Sequence, residues 1–352
     1  MNSIQQYIQE TPKQLTKLMA GADDLFKKIS QVAIKRIIIT GSGTSYHSGL
    51  EMAEVMRQKS GLAVEAIYPF MLTNEFLNNV GADTLVIGIS QGGSSFTTYE
   101  AMGRAKEKGC LIATMAGEEN AYIDGLADYV LTVNIGEETA GAKTKGYYAT
   151  KLNLLLLAEY LGLASGHISK ATFDQDLQSI EKILVEFPKA YQSAEKWLDE
   201  NKAKLAKAKE IRIVGPANLY GDTLESALKI LETCRIPVTG YEFDEFIHGI
   251  YNAINEDSTV IFFDDGSEPR LQRMVEVLGE WTNELYVVGM EKSDKQQQLG
   301  YAVDVDKQFE TFIYPIALQL VAAVLPVVNG YDPSSPKDPQ FHMKLQSKKF
   351  NH

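Results

Sequence analysis

The feature that most constrains the fold is a junction between an apolar run and a helical stretch at residues 84–106. Residues 84–89 are apolar and partly β-branched, which is typical of a buried parallel strand. The loop at 90–98 holds two glycines and five hydroxyl side chains before the helical pattern begins. Such a loop places N–H groups and hydroxyls at the positive end of a helix, where a phosphate monoester binds. For this loop taken alone, the alternative to an anion site is an ordinary strand-to-helix connection capped by Ser95 or Thr97.

A second loop of the same kind follows the apolar run at 36–40. It reads Gly41-Ser42-Gly43-Thr44-Ser45 and leads into another helical stretch. Further strands are predicted at residues 64–68, 84–90, 111–115 and 129–133, alternating with helices. This alternation predicts an α/β fold with a parallel sheet covered by helices on both faces.

The same alternation repeats in the second half of the chain. Strands are predicted at residues 211–215, 260–263, 285–289 and 302–305. Acidic side chains, Asp264 and Asp265, stand where the first half has serines, and they would repel a phosphate. We therefore expect the first half to bind the anion and the second half to have been diverted.

This organisation divides the chain into five predicted segments. They are a helical lead-in at 1–30, a first α/β domain at 31–165, a helical linker at 166–208, a second α/β domain at 209–330 and a tail at 331–352. The most apolar stretch, residues 312–328, is interrupted by prolines and a glutamine and is short for a membrane span. It is therefore predicted to be a buried helix.

Composition excludes several classes of function. With 352 residues, 45% of them hydrophobic, the chain can form two domains of ordinary size. The net charge of -12 argues against a nucleic-acid or anionic-membrane surface, although N–H groups can still bind an anionic metabolite locally. The N-terminus lacks the pattern of a signal peptide, and two cysteines offer no disulfide framework, so a cytoplasmic protein is expected. The histidines and cysteines show no metal-ligand spacing, and we expect neither a metal nor a cofactor.

Three motifs, at residues 41–46, 90–95 and 225–232, together resemble the sugar isomerase (SIS) family. The resemblance is to the isomerase half of glucosamine-fructose-6-phosphate synthase and to the fructosamine-6-phosphate deglycases, and it extends from about Tyr7 to the tail. It implies two SIS-type subdomains, each a flavodoxin-like parallel sheet flanked by helices, and a sugar-phosphate substrate.

The resemblance also implies a phosphate pocket lined by hydroxyl groups. The family's second loop commonly reads Ser-Gln-Ser-Gly-Glu-Thr, whereas this chain has Gly92 in place of the second serine, so a backbone N–H group must serve there. The pocket residues implied in this way are Thr44, Ser45, Ser90, Gln91, Gly92 and Ser95.

Two lysines are further candidates for the substrate site. Lys143 stands where the synthase has a serine, and its charge could meet a carboxylate or phosphate of a larger substrate. A solvated lysine at the start of a helix is an equally good interpretation. The family's tail offers a lysine to the sugar, and we choose Lys344 over Lys337 for that role, with a solvated tail charge as the alternative.

The candidate catalytic residues are Lys229, Glu232 and His248. Lys229 and Glu232 are three residues apart in a helical pattern and share a face. Without the resemblance they would be interpreted as a surface pair, and His248 as a capping or core histidine. The separation of Glu232 and His248 by sixteen residues (248 − 232) matches the catalytic glutamate and ring-opening histidine of the family. A carboxylate suits proton transfer between two sugar carbons, and a histidine suits ring opening near neutral pH.

These residues lead to one hypothesis and two alternatives. The first is a deglycase that cleaves an amino-substituted hexose 6-phosphate by proton transfer between C1 and C2. The alternatives are a glucosamine-6-phosphate deaminase or aldose-ketose phosphosugar isomerase, and a sugar-phosphate sensor without catalysis. The resemblance implies a homodimer in which His248 comes from the neighbouring subunit. The chain begins directly at the lead-in, so we expect it to lack the synthase's glutaminase domain.

Overall fold

A computed structural model describes residues 1–348 of the chain; residues 349–352, the end of the predicted tail, lie outside the described residues. The chain forms two compact units. The first unit contains residues 11–138 and 145–178 and the chain from Lys337 onward; the second contains residues 1–10, 139–144 and 179–336. The boundaries of the five predicted segments stay predictions.

The first unit is built on a parallel sheet of five strands in the order β2-β1-β3-β4-β5. Strand β3 is buried along its whole length, because both of its faces are apolar and lie under helices. The predicted strand at 129–133 is shorter than expected, although the N–H groups of Leu131 and Val133 still donate to carbonyls beyond it, on Thr114 and Ala116. The strands are β1 (Arg36–Thr40), β2 (Ala63–Ile67), β3 (Thr84–Ile89), β4 (Leu111–Met115) and β5 (Tyr129–Val130).

Helices alternate with these strands, as the sequence pattern predicts. The lead-in forms two helices, and a helix of 21 residues follows β5. The helices are α1 (Ser3–Ala20), α2 (Ala22–Phe26), α3 (Thr44–Ser60), α4 (Asn74–Leu77), α5 (Phe96–Glu107) and α6 (Lys145–Ser165). A further long helix, α7 (Lys170–Leu205), contributes residues to both units.

The second unit repeats the architecture with a parallel sheet in the order β10-β9-β8-β6-β7. In both sheets the first strand of the unit lies between the second and the third. This confirms the predicted α/β class with two parallel sheets. The strands are β6 (Ile211–Gly215), β7 (Val238–Glu242), β8 (Thr259–Asp264), β9 (Glu284–Gly289) and β10 (Gln298–Gly300).

The strand predicted at 302–305 is wrong. The edge strand is β10, which ends at Gly300, and residues 302–305 form no strand. The physical reason is the backbone of Ala302, which has a φ of 52° and therefore leaves the extended conformation.

The helices of the second unit include the one that carries the third motif, α8 (Tyr220–Cys234). It packs against the most apolar helix, α11 (Pro315–Val328), and against β7. The remaining helices are α9 (Phe243–Ile247) and α10 (Leu271–Leu278), and α12 (Phe341–Lys344) lies in the tail of the first unit.

Residues 307–328 are the one stretch within 1–348 that is long and apolar enough to cross a membrane. The expectation that this segment is too short was wrong, because a short 3-10 helix at Lys307–Phe312 extends the helical stretch ahead of α11. Burial decides its role: 83% of the apolar window is buried inside the fold. The segment is a core helix of the second unit, as predicted.

Candidate functional site

The two hydroxyl-rich loops lie side by side at one edge of the first sheet. Strand β1 pairs with β2 on one side and with β3 on the other. The loops that follow β1 and β3 therefore flank the point where the strand order reverses, which is where open α/β sheets bind ligands. The topology brings together the loop residues that the sequence selects.

Glycine allows the first loop to approach the end of β3. A Cβ atom at Gly41 would lie 2.7 Å from the Cβ of Ser45 and 2.9 Å from the carbonyl oxygen of Ile89. Gly43, with a φ of 57°, precedes the first residue of α3, Thr44. Ser45 is buried in the first turn of that helix. The first turn of α3 is thus held against the sheet edge by backbone contact.

The second loop is closed by hydrogen bonds among its own residues. The N–H of Ser95 donates to Oγ of Ser90 over 3.3 Å, and the N–H of Gly93 donates to the Ser90 carbonyl over 2.8 Å. Oγ of Ser95 accepts from the N–H of Thr98 at 3.4 Å. Ser95 is therefore the N-cap of α5, as one of the two sequence interpretations expected, and the loop has a defined shape.

Several backbone donors of this loop remain available to a ligand. Within residues 1–348, the N–H groups of Gln91, Gly92 and Ser94 donate to no protein acceptor. They lie at the start of a helix of 12 residues, whose dipole favours negative charge. The position of Gly92 is open: a Cβ atom there would have no heavy atom within 4 Å. These donors are suited to the oxygens of a phosphate.

The side chain of Gln91 has protein partners. Its Oε1 accepts from Oγ1 of Thr150 in α6 at 3.3 Å. Its amide also occupies the space that a Cβ atom would need at Gly117 and at Gly146. Gln91 thus ties the loop to α6, and its backbone N–H group is the part that is available to a ligand.

The tail of the chain contacts the same loop. The N–H of Phe96 donates to the carbonyl of Ser347 over 3.4 Å, and Ser95 forms an antiparallel bridge with Lys348. Lys344, which was predicted to reach the substrate, has its ammonium group 2.6 Å from the Asp338 carboxylate. The tail therefore meets the candidate phosphate loop through its backbone.

The equivalent edge of the second sheet is occupied by its own side chains. Nδ2 of Asn218 donates to Oδ2 of Asp265 over 2.6 Å, and the N–H and hydroxyl of Ser267 donate to Oδ1. Burial opposes ionisation of Asp265, but these hydrogen bonds outweigh it and hold its pKa below the usual value. Burial also raises the pKa of nearby Glu310 to about 7. The ionised carboxylate of Asp265 would repel a phosphate at this edge.

A buried lysine organises the third motif. Nζ of Lys229 lies 2.6 Å from Oε2 of Glu232 and 3.6 Å from Oε1 of Glu225. The side chains of Lys229 and Glu225 are 2% and 1% exposed, whereas that of Glu232 is 37% exposed. The interpretation of Lys229 and Glu232 as an ordinary surface pair is therefore wrong. A buried ammonium group orients one carboxylate that a ligand can reach.

Glu225 is the residue that the sequence reasoning missed. It lies four residues before Lys229, inside the motif that was singled out, so the spacing was a usable signal. Its carboxylate provides the second negative charge next to Lys229. Removing Lys229 would take away the ammonium group that lies 3.6 Å from that buried carboxylate.

His248 follows the short helix α9. It is exposed, and its backbone N–H donates to the carbonyl of Glu245 over 3.1 Å. Within residues 1–348 its imidazole forms no hydrogen bond or ion pair, and none joins it to Glu232. His248 is therefore not a core histidine: it is an exposed residue at the C-cap position of α9.

The segment before α6 carries the last candidate. Lys143 is partly buried in the short stretch 139–144, which belongs to the second unit. In the first unit, both oxygens of the Glu138 carboxylate accept from the first N–H groups of α6, on Lys145 and Gly146, at 3.2 and 3.1 Å. Across residues 1–348, no group of three or more His, Cys, Asp or Glu side chains could hold a metal ion.

Comparison with known proteins finds one matching family model and several similar solved structures. The SIS domain family model matches residues 32–160. A protein of Clostridium difficile 630, provisionally assigned as a phosphosugar isomerase, is 47% identical and covers all of both chains with a TM-score of 0.96. A provisionally assigned sugar-binding protein of Salmonella typhimurium LT2 is 40% identical over 92% of this chain and all of its own, with a TM-score of 0.86.

A curated relative shows the same likeness over part of its length. The isomerizing glutamine-fructose-6-phosphate aminotransferase of Pyrococcus horikoshii is 26% identical over 338 residues, which are 94% of this chain and 55% of that protein. The chain thus spans about half the length of the curated relatives it matches.

Proposed function

Because the chain belongs to the SIS domain family, we propose that it is a phosphosugar deglycase. Its substrate would be an amino-substituted hexose 6-phosphate of the fructosamine or glucosamine type, and its products a hexose phosphate and a free amine. The two loops of the first unit would hold the phosphate through backbone N–H groups and the hydroxyls of Thr44, Ser45, Ser90 and Ser95.

The proposed chemistry is a proton transfer followed by hydrolysis. In the open-chain ketosamine, Glu232 takes a proton from C1, and the C–H electron pair forms the C1=C2 bond of an enaminol as the C2 oxygen gains a proton. Return of a proton to C2 produces an imine between C1 and nitrogen. Water then adds to C1, the C–N bond breaks, and the amine leaves with a proton. No oxidant or reductant is needed.

The observation that carries this proposal is the geometry of Glu232. Its carboxylate lies 2.6 Å from a buried ammonium group, while 37% of the side chain remains exposed. A general base must be fixed in orientation and still reach the carbon that it deprotonates. Glu232 is held by the ammonium group and is accessible to a ligand, which supports its role as the acid and base of the carbon chemistry.

His248 would open the sugar ring or protonate the leaving group. Its exposed imidazole supports the proposal that it acts in the neighbouring subunit of a homodimer. Mixing Glu232→Gln subunits with His248→Ala subunits tests this: one intact site forms in each mixed dimer, and activity returns. If both residues act within one subunit, every site carries a lesion and the mixture stays inactive.

The substrate class is tested by product analysis. Purified protein is incubated with fructosamine, glucosamine and amino-acid-adduct 6-phosphates, and released amine and hexose phosphate are measured. Release of a substituted amine supports the deglycase, and it identifies the leaving group. Release of ammonia alone, or interconversion without release, assigns the chain to the deaminase or isomerase alternative. Binding without any turnover would indicate a sensor.

A further inference from the structure

Three charged side chains are buried together in the first unit, away from the candidate loops. Lys59 lies near the end of α3, Glu159 lies in α6, and Asp176 lies in the part of α7 that belongs to this unit. Their side chains are 8%, 0% and 9% exposed. Nζ of Lys59 is 2.5 Å from Oδ2 of Asp176 and 3.7 Å from Oε1 of Glu159.

The charges of this cluster do not balance if both carboxyl groups are ionised. One ammonium group would then face two carboxylates in a pocket closed to water, and the ammonium group lies closer to Asp176. Both oxygens of Glu159 are fully buried and, counted as carboxylate oxygens, accept no hydrogen bond. Burial of an ionised carboxylate without donors is strongly unfavourable. A proton on Glu159 removes both difficulties, because the acid can donate to the Asp176 carboxylate.

We propose that the folded protein carries Glu159 as a neutral acid that donates a hydrogen bond to Asp176, and that this proton makes the α3-α6-α7 corner a pH-sensitive part of the fold. Burial first, and then the charge of Asp176, raises the pKa of Glu159 to about 8, against the opposing effect of Lys59. His167 is a further titratable group near this corner, and its Nε2 lies 3.1 Å from the carbonyl oxygen of Gln58.

The direction of the pH effect follows from linkage. In the unfolded chain Glu159 has the ordinary pKa of a glutamate, about 4.3, and releases its proton near that pH. Between that pH and about 8 the folded state holds a proton that the unfolded state has lost. The stabilisation from this proton is therefore complete below about pH 4.3 and is lost as the pH rises to about 8. Across this window the unfolding equilibrium constant gains about tenfold per pH unit from this group.

The proton can be observed directly by infrared spectroscopy of the whole protein. The difference spectrum between wild type and Glu159→Gln at neutral pH should contain a protonated-carboxyl band, which converts to carboxylate as the pH passes about 8. Glutamine resembles the neutral acid, since its amide also donates to Asp176, so this variant should keep the fold. A difference spectrum with only carboxylate bands at neutral pH would overturn the proposal.

Two further measurements keep the proposal open to refutation. Relative to Glu159→Gln, the unfolding equilibrium constant of wild type should rise by about tenfold per pH unit between about pH 5 and 8. Above about pH 8 the difference in stability between the two proteins should stop changing. If stability depends on pH in the same way in wild type and in Glu159→Gln, the proposal is contradicted. Should Glu159→Gln fail to fold, Asp176→Asn serves instead: Lys59 then pairs with Glu159 alone, and the protonated band at neutral pH should disappear. Persistence of the band in that variant would contradict the role given to Asp176.

Discussion

The two sheets share one strand order, but their candidate chemistry lies at different places. In the first unit it lies in the loops after β1 and β3, where glycines and hydroxyls expose backbone donors. In the second unit the equivalent loops are filled by Asn218, Asp265 and Ser267, and the chemistry lies on the face of α8. The same topology thus carries a candidate anion site built from uncharged groups in one copy and a candidate acid-base group with a charged side chain in the other.

The largest effect is expected from removing the buried ammonium group of Lys229 in the second unit. Lys229→Met removes the ammonium group that lies 3.6 Å from the buried Glu225 carboxylate, which should destabilise the protein by about 3 kcal/mol or more and abolish turnover. Lys182→Met is the matched control, because this exposed lysine pairs with exposed Asp304 and should cost less than about 1 kcal/mol. Urea unfolding and amine release measure the two effects.

The double variant Lys229→Met/Glu225→Gln separates stability from catalysis. It should recover most of the lost stability, since the buried negative charge beside the lost ammonium group is removed as well, but no activity. Full activity in the double variant would show that Lys229 does not orient a catalytic carboxylate.

The next effect compares one serine from each of the corresponding loops of the two units. Ser90→Ala should weaken binding of inorganic phosphate, and raise the KM for a sugar phosphate, by about tenfold, because a hydrogen bond to a charged group is worth about 1.5–3 kcal/mol. Ser267→Ala removes a hydroxyl from the corresponding loop of the second unit and should leave phosphate binding unchanged. Calorimetric titration with phosphate gives both constants. Equal losses of phosphate affinity in the two variants would contradict the proposed difference between the two units.

The smallest effect is expected from adding a hydroxyl. Gly92→Ser places a side chain in open space beside the phosphate donors, so it should fold normally and bind phosphate about threefold more tightly, a gain of about 0.7 kcal/mol. Thr97→Ser, a conservative change at an exposed position in the first turn of α5, is the control. Weaker binding by Gly92→Ser would mean that the phosphate does not approach this part of the loop.

Much of the fold follows from local sequence signals. Apolar runs followed by glycine and hydroxyl residues predict β1, β3 and the helices after them, and Ser95 caps α5 as proposed. The left-handed backbone of Ala302 carries no such signal, and the predicted last strand was lost there. Local pattern also placed Lys229 and Glu232 on one face of a helix, but it could not show that α11, far along the chain, helps to cover α8.

The candidate site was predictable to a similar extent. Residue types and spacing selected the loops and the third motif, because hydroxyls, glycines and an i,i+3 charge pair are visible in the sequence. The tertiary partners of these residues were not visible. Gln91 contacts Thr150, and Ser347 in the tail accepts from Phe96, through contacts between residues that are distant in the sequence.

The most direct test of the account is the rate of amine release from a ketosamine 6-phosphate by wild type and Glu232→Gln. Exposed Glu276, which is paired with Arg273 on α10, provides the matched control Glu276→Gln. The account predicts that Glu232→Gln lowers kcat by about 10²–10⁴-fold while phosphate affinity and stability stay near wild type, and that the control is unchanged. Amine release by Glu232→Gln at the wild-type rate would contradict the assignment of Glu232 as the acid and base.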